Sequence, residues 1–417
     1  MISSERVVIT GMGIISCLGN DRDTVTRSLR EGRSGVTLLP ERKEMGFKSC
    51  LSGSIRDFDP AAHLSRKQRK TLPEFGIWAW AAVRQALDQA GIDRETLRED
   101  TRTGLIFGND SSAATPVEQV AILRAEGDTT SIGSGHIFRS LTSTITLNLS
   151  TLLGIRGMSW TVAGACASGA MAVGQAAELI ATGRQDRMIC GGAQEITWES
   201  MCSFDTLDAF SRRENEPHQA SRPFDRDRDG LVPSGGAACL VLESLATARE
   251  RGATILAEVL GYGVTSDGYH IVLPSGEGIE RAMLMALGSA GLTAADIDLV
   301  LAHATSTPAG DEKEAEALTR VFTDQGAAPP VSAPKGLTGH EFWMAGASQV
   351  VYGLLMAQGG FVAGNRNLEN PDPAAAGLNL PRETIPATPR LLLCNASGFG
   401  GTNASLVIRA CPEGERS

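Results

Sequence analysis

Two spacings of apolar residues alternate along the chain. Short apolar runs at residues 6–10, 104–108, 187–192, 235–243, 298–302, 330–334, 391–395 and 404–408 read as buried strands. Longer stretches carry apolar residues at helical spacing. One spans 75–90; Thr71, Pro73 and Glu74 mark its start and Gly91 its end. Another spans 171–180, a third covers 311–322, and a fourth follows residues 335–340 and ends near Gly359. Residues 22–62 show neither spacing and read as irregular. Strands alternating with helices imply parallel-rich sheets covered by helices, an α/β class. The second half repeats the order of the first, which suggests an internal duplication. The charged stretch 249–252 divides the chain into halves 1–252 and 253–417, whose buried helices would share a central layer.

Composition narrows the function. The chain has 417 residues, 42% of them hydrophobic, enough for a sizeable core. Forty-seven glycines and only 5% aromatics suit layers whose backbones approach closely. A net charge of −10 argues against nucleic acid as a partner, since phosphate binding needs a broad basic surface. The eight cysteines form no C-x-x-C pair and no cluster with histidine at metal spacing, so no metal is expected. Cys190, Cys239 and Cys394 sit in strand-like runs as reduced core residues. Residues 1–10 lack a basic segment followed by an uninterrupted apolar one, and no apolar run is long enough to span a bilayer; a cytoplasmic protein is expected. Gly11-Met12-Gly13 after a strand imitates a dinucleotide fingerprint. Ser16 stands where its third glycine belongs, and no clear second strand ends in an acid, so a nicotinamide site is not expected.

The candidate chemistry lies at three strand ends. Thr161 to Ala170 is short and rich in small residues, and places Cys166 at a tight turn before a helix. A helix N-terminus favours a thiolate, and small neighbours leave room for a carbonyl over the sulfur. A lone cysteine there would be ordinary core. His303 follows one buried strand and opens a loop with Thr305, Thr307 and Pro308; His340 ends a similar turn after another. Strand C-terminal ends are where open α/β folds place their sites, so the three together point to one site. A thiolate there would attack a thioester and become acylated. Two neutral imidazoles would donate N–H groups to an oxygen gaining negative charge. Lys335 would bias the nearby imidazole or organise a carboxylate such as Glu314. The stretch Asn395–Asn403 is Gly-rich but no P-loop lysine follows it, so its backbone is expected to approach Cys166 and donate an N–H. Arg66, Lys67, Arg69 and Lys70 precede a helix start; a solvated turn and a dock for an acidic partner both fit.

Taken together, Ala165-Cys166-Ala167-Ser168-Gly169, His303-x-Thr305-Ser306-Thr307-Pro308-x-Gly310-Asp311, Lys335-x-Leu337-Thr338-Gly339-His340 and Gly398-Phe399-Gly400-Gly401-Thr402-Asn403 resemble the β-ketoacyl-acyl carrier protein synthases of the thiolase-like superfamily. Residues 198–204 and 221–230 look closest to the type I bacterial condensing enzyme. The resemblance covers nearly the whole chain. It implies a five-layered αβαβα sandwich, a homodimer (with a hetero-partner left open), and decarboxylative Claisen condensation with malonyl-acyl carrier protein. The default is fatty-acid elongation, and a dedicated polyene or polyketide pathway is the alternative. By position, Cys166 would be the nucleophile, and His303 and His340 would stabilise the enolate. The Cys166 and Phe399 N–H groups would form the oxyanion hole, with Lys335 and Glu314 in support. Thr305 and Thr307 would contact the phosphopantetheine arm, and Ser397, Gly398 and Gly400 would line the substrate site. The four cations would meet the acidic carrier protein. The enzyme would need no cofactor of its own, because its substrates travel on the carrier's phosphopantetheine.

Three departures from the family pattern bear on the acyl pocket. Ala304 replaces a glycine, Ser397 stands where the gating loop has a phenylalanine, and Glu341-Phe342-Trp343-Met344 replace smaller residues. Ser397 is too small to seal the pocket, so an entrance tolerant of longer or stiffer primers is expected unless Phe342 and Trp343 restore the wall. Other readings are less consistent with the residues. A chain-length-factor-like subunit would lack Cys166, and a thiolase would use a cysteine as its final base. A cysteine acyl hydrolase and a non-catalytic carrier scaffold would not couple CO2 release to a primer.

Overall fold

Gly11 and Gly13 show how this chain builds its layers. A Cβ at either would lie 2.0 Å from a backbone carbonyl, that of Ala86 or Ala82, on a helix running over the strand. The glycines therefore let helix and strand approach, and no turn forms there. Strand β1 continues through both to its end, Val7–Ile15, with a bulge between Ile9 and Gly11. The run 6–10 read from the sequence is thus only the first part of this strand. The computed structural model describes residues 5–411; residues 1–4, which open the amino-terminal stretch considered above, and 412–417 lie outside the described residues.

The first half contributes β1, β2 (Thr103–Gly108), β3 (Ser159–Val162), β4 (Arg187–Gln194) and β5 (Gly236–Ser244), in the spatial order β1-β5-β4-β2-β3. The second contributes β6 (Ala257–Ser266), β7 (Leu299–Leu301), β8 (Val331–Ser332), β9 (Leu391–Gly398) and β10 (Thr402–Ala410), in the order β6-β10-β9-β7-β8. The two orders are the same. In each, three strands run parallel and two antiparallel strands complete the leaf. The leaves join into one ten-stranded sheet among the described residues, through β1 and β6 alone, from Val7 opposite Val259 to Ile9 opposite Ala257.

Helices cover the leaves in a matching way. Helix α1 (Glu74–Ala90) packs on β1 and β5, and α3 (Glu277–Ala290) packs on β6 and β10. Between the leaves, α2 (Ser168–Ala181) meets α5 (Ala345–Gly359). Helix α4 (Pro308–Val321) lies beside α3. The result is the five-layered αβαβα sandwich of a thiolase-like fold. Every residue of α5 from Ala345 to Ala357 is buried, as a helix with no polar face must be. Where α2 and α5 cross, a Cβ on Gly346 would lie 2.5 Å from the nitrogen and the Cβ of Ala170.

Several elements escaped the apolar pattern, among them the helices Ala114–Glu126 and Thr144–Leu153. Residues 22–62, read as irregular, include a helix, Arg22–Glu31; Asp21 caps it and only Val25, Ser28 and Leu29 are buried. Its mean character is polar, so no apolar spacing announced it. Strand β6 and helix α3 were not recognised either; β6 carries two glycines that admit α3, each with a Cβ position 2.1 Å from an α3 carbonyl. Among the described residues no helix is long and apolar enough to cross a membrane.

The crossing at Gly346 admits no side chain. Gly346→Val is expected to destabilise the chain by about 1–3 kcal/mol through overpacking, read as a lower urea midpoint. An unchanged midpoint would show that the two helices can separate at no cost.

Candidate active site

Cys166 sits in the turn between β3 and α2, on a strained backbone. Ala165 has φ +48°, a left-handed conformation that costs a non-glycine residue on the order of 1–3 kcal/mol. Several bonds hold it. Ala165 donates its N–H to Asp110 Oδ2 at 2.9 Å, and Ser168 Oγ donates to the Ala165 carbonyl at 2.5 Å. Thr402 Oγ1 donates to the Gly164 carbonyl at 2.9 Å. This last bond brings in the Gly-rich loop. A Cβ on Gly398 would lie 2.8 Å from the Cys166 nitrogen, so glycine is required where the loop passes Cys166.

The histidines arrive from the second leaf. His340 follows Gly339, whose φ of +73° turns the chain, and its N–H donates to the Val232 carbonyl at 2.7 Å. Its Nε2 lies 3.1 Å from Cys166 Sγ. His303 leaves the end of β7, and both its own N–H and that of Ala304 donate to the Glu314 carboxylate, at 2.8 and 2.6 Å. Asn395 Nδ2 adds a third bond to Glu314 at 3.2 Å. The two imidazole rings stand edge to face with centroids 5.2 Å apart. The loop beyond His303 is braced by the stretch 221–230: Arg222 donates its N–H to Ser306 Oγ at 2.9 Å, and Arg228 Nε donates to the Thr307 carbonyl at 3.0 Å.

Lys335 is buried, and its partner differs from the one expected. It does not bond Glu314; Nζ donates to Gln349 Oε1 at 3.3 Å, and Gln349 Nε2 donates in turn to the Ala302 carbonyl at 2.6 Å. Gln349 went unread in the sequence, although a glutamine inside the apolar run 345–357 was the available signal. Asp110 gave no such signal. Glu341 is a further buried carboxylate, accepting from Ser348 Oγ at 2.5 Å and Tyr352 OH at 2.6 Å.

Burial dominates the electrostatics. It pushes both imidazoles well below the usual histidine range, and the Lys335 charge pushes the same way. Both rings are therefore neutral N–H donors at neutral pH. Burial also brings Lys335 down to about 8, against the pull of Glu314 and Glu341. It pushes the Cys166 thiol up to about 12; Lys335 and the residue's own backbone N–H act in the opposite sense. The expectation that the helix N-terminus favours the thiolate is corrected on this point, because desolvation outweighs it.

A cavity of about 430 Å³ opens from Cys166, His303 and His340. Thr305, Thr307, Ser397, Gly398 and Phe399 line its walls. Gly400 does not; its N–H donates to the Ile271 carbonyl at 2.8 Å. Phe342 closes the inner end with φ +40°, a strained conformation for a bulky residue, against His340 at 4.6 Å and Phe204 at 4.9 Å between ring centroids. Arg66, Lys67, Arg69 and Lys70 line a separate surface hollow, on a short helical turn capped by Ser65. Among the described residues no group of His, Cys, Asp and Glu could hold a metal ion.

The family model for the β-ketoacyl synthase N-terminal domain matches residues 4–248, and that for the C-terminal domain matches 256–369. The 3-oxoacyl-[acyl-carrier-protein] synthase 1 of Haemophilus influenzae is 40% identical over 408 residues, 97% of this chain and 99% of that one. A β-ketoacyl synthase from Burkholderia phymatum superposes with a TM-score of 0.91 at 35% identity, over 98% of this chain and 100% of that one. The ishigamide ketosynthase/chain length factor gives 0.89 at 31% identity, with the same coverage.

Lys335 and Cys166 titrate against each other. Lys335 carries its charge below about 8 and loses it above. Alkylation of Cys166 by iodoacetamide should therefore rise about tenfold per pH unit on the acid side, as thiolate accumulates, and less steeply beyond that point. Lys335→Met should alkylate more slowly at neutral pH and keep one slope throughout. A single unbroken slope for the unmodified protein would contradict the coupling.

Proposed function

We propose that this chain, which belongs to the β-ketoacyl synthase family, joins an acyl group held on Cys166 to two carbons from malonyl-acyl carrier protein. The products are 3-oxoacyl-acyl carrier protein and CO2, and fatty-acid elongation is the setting. The observation that carries the reading is one cavity in which a thiol meets two neutral imidazoles, His340 at 3.1 Å from the sulfur and His303 edge-on to His340.

The chemistry follows from those groups. The Cys166 thiolate attacks the acyl thioester, and the carrier thiol leaves. Malonyl-carrier then enters; its carboxylate departs as CO2, and the electron pair of the broken bond forms an enolate. His303 and His340, uncharged, donate N–H hydrogen bonds to the enolate oxygen and keep their protons. The enolate carbon attacks the acyl carbonyl. The Cys166 and Phe399 N–H groups receive the oxyanion, and collapse returns the thiolate. Electrons move only between substrate carbons and sulfur, so the balance calls for no cofactor. Glu314 positions His303 through the backbone, and Lys335 supplies the one positive charge beside the thiolate. Thr305 and Thr307 suit the polar pantetheine arm along the cavity wall.

The carrier protein is acidic in this reading and meets Arg66, Lys67, Arg69 and Lys70. The chain works in the cytoplasm as a dimer. What supports a dimer is the edge of β3, unpaired among the described residues, together with exposed Ile137, Phe138, Leu141 and Leu147 on and around the two helices next to it. A second copy would cover this edge, and a related partner, as in a ketosynthase/chain length factor pair, remains the alternative. The likeness to a ketosynthase of a type II PKS, with a TM-score of 0.88 at 28% identity, favours a specialised polyketide pathway as the second reading.

Cys166→Ala should abolish acyl loading and condensation while CO2 release from malonyl-carrier persists in part; mass spectrometry of the protein beside labelled CO2 reads both, and full elongation by this variant would sink the proposal. His303→Ala and His340→Ala should each still load acyl groups but lose about 10²–10³ in condensation. The reverse pattern, lost loading with CO2 release intact, would contradict their roles. Charge reversal of Arg66 and Lys67 should raise KM for acyl-carrier protein and leave turnover of small pantetheine thioesters nearly unchanged. Equal losses on both substrates would make the patch structural.

A further inference from the structure

The inference here rests on Cys166 as the acyl carrier. Two thioester arms must use the same cavity in turn. While the second arm lies between Thr305, Thr307 and Phe399, the first acyl chain, now on sulfur, needs a separate apolar space. Around the sulfur that space belongs to Met201, Phe210, Leu231, Phe342 and Trp343, with Phe204 at its edge. The cavity reaches Phe204, Leu231 and Phe342 and stops there; Trp343 lies behind them. Its ring centroid is 5.8 Å from that of Phe342 and 6.4 Å from that of Phe204.

Trp343 is also fixed in place. Its Nε1–H donates to Ser111 Oγ at 3.3 Å. Its backbone carbonyl presses on Gly169 and Gly192, where a Cβ would lie 2.9 and 2.7 Å away. The indole is buried, and the strained Phe342 backbone beside it is held by rings on two sides. A chain growing inward from Cys166 therefore meets a packed aromatic floor with no room to shift.

We propose that Trp343, by backing Phe342 where it closes the inner end of the cavity, sets the depth of the acyl pocket and restricts Cys166 to short-chain primers. Ser397 acts elsewhere. It lines the cavity on the Gly-rich loop and donates Oγ to Asn403 Oδ1 at 2.8 Å, on a different wall from the aromatic cluster that holds Trp343.

The test is single-turnover acylation of the full chain, read by mass spectrometry of Cys166, with acetyl-, butyryl-, octanoyl- and dodecanoyl-carrier protein as donors. Butyryl should load about a hundredfold faster than dodecanoyl, the scale on which an apolar pocket discriminates by size. Trp343→Ala should speed dodecanoyl loading about tenfold or more and change butyryl loading little. Trp343→Leu, which removes the indole but keeps apolar bulk, should shift the profile in the same direction and guards against a variant that fails to fold. Equal loading of both chain lengths by the unmodified protein, or a profile unchanged in both variants, would overturn the proposal. Failure of every donor to load Cys166 would overturn the condensing reading itself, and this inference with it.

Discussion

Where α2 crosses α5, Gly346 lies against Ala170, and Gly169 lies against the backbone at Ala347. No side chain separates the helices there, and that contact governs the site. Cys166 precedes α2 by two residues, and His340 precedes α5 by five. Helices forced this close bring their first turns side by side, so sulfur and imidazole meet at 3.1 Å although they are far apart in the chain. Apolar burial between the two leaves holds the helices there, and a close-packed interior transmits small displacements instead of absorbing them. A slightly wider crossing would part Cys166 from His340.

The same burial sets the charges. With water excluded, both imidazoles stay neutral and keep an N–H to donate. Such donors count for more where the surroundings are of low dielectric. Burial disfavours the thiolate as well, which gives Lys335 its importance. Gln349 ties that lysine to the carbonyl of Ala302, next to His303, while Glu314 holds the His303 backbone itself. One buried network therefore positions both the positive charge and the imidazole.

The matching strand orders of the two leaves bring the three groups to equivalent strand ends, and the leaves differ in what those ends carry. The turns after β3 and β8 are equivalent; one carries Cys166, the other leads through Lys335 to His340. The loops after β2 and β7 are equivalent too; one carries Asp110 and Ser111, the other His303. In the first half the loop after β2 is support: Asp110 fixes the strained Ala165, and Ser111 anchors Trp343. Phe342 and Trp343 fill the space beside Cys166 with aromatic rings and leave Cys166 and His340 in contact.

By itself the sequence determined the α/β class, the repeat of strand and helix, and the candidates Cys166, His303 and His340. These were legible because strand-length apolar runs, turn glycines and reactive side chains at strand ends are local signals. The spacing also marked α1, from Glu74 to the Gly91 cap. The tertiary structure decided what depends on approach between distant segments. Gly11 and Gly13 looked like a cofactor turn, yet they admit α1 over β1, because a glycine's role depends on what lies above it. Lys335 could have been a surface residue; only the fold buries it and gives it Gln349. Trp343 is local in sequence to His340, but only the fold sets its ring against Phe342. Local spacing specifies which residues sit at strand ends, but packing across a few ångströms decides which of them touch, which lose water, and how much room is left.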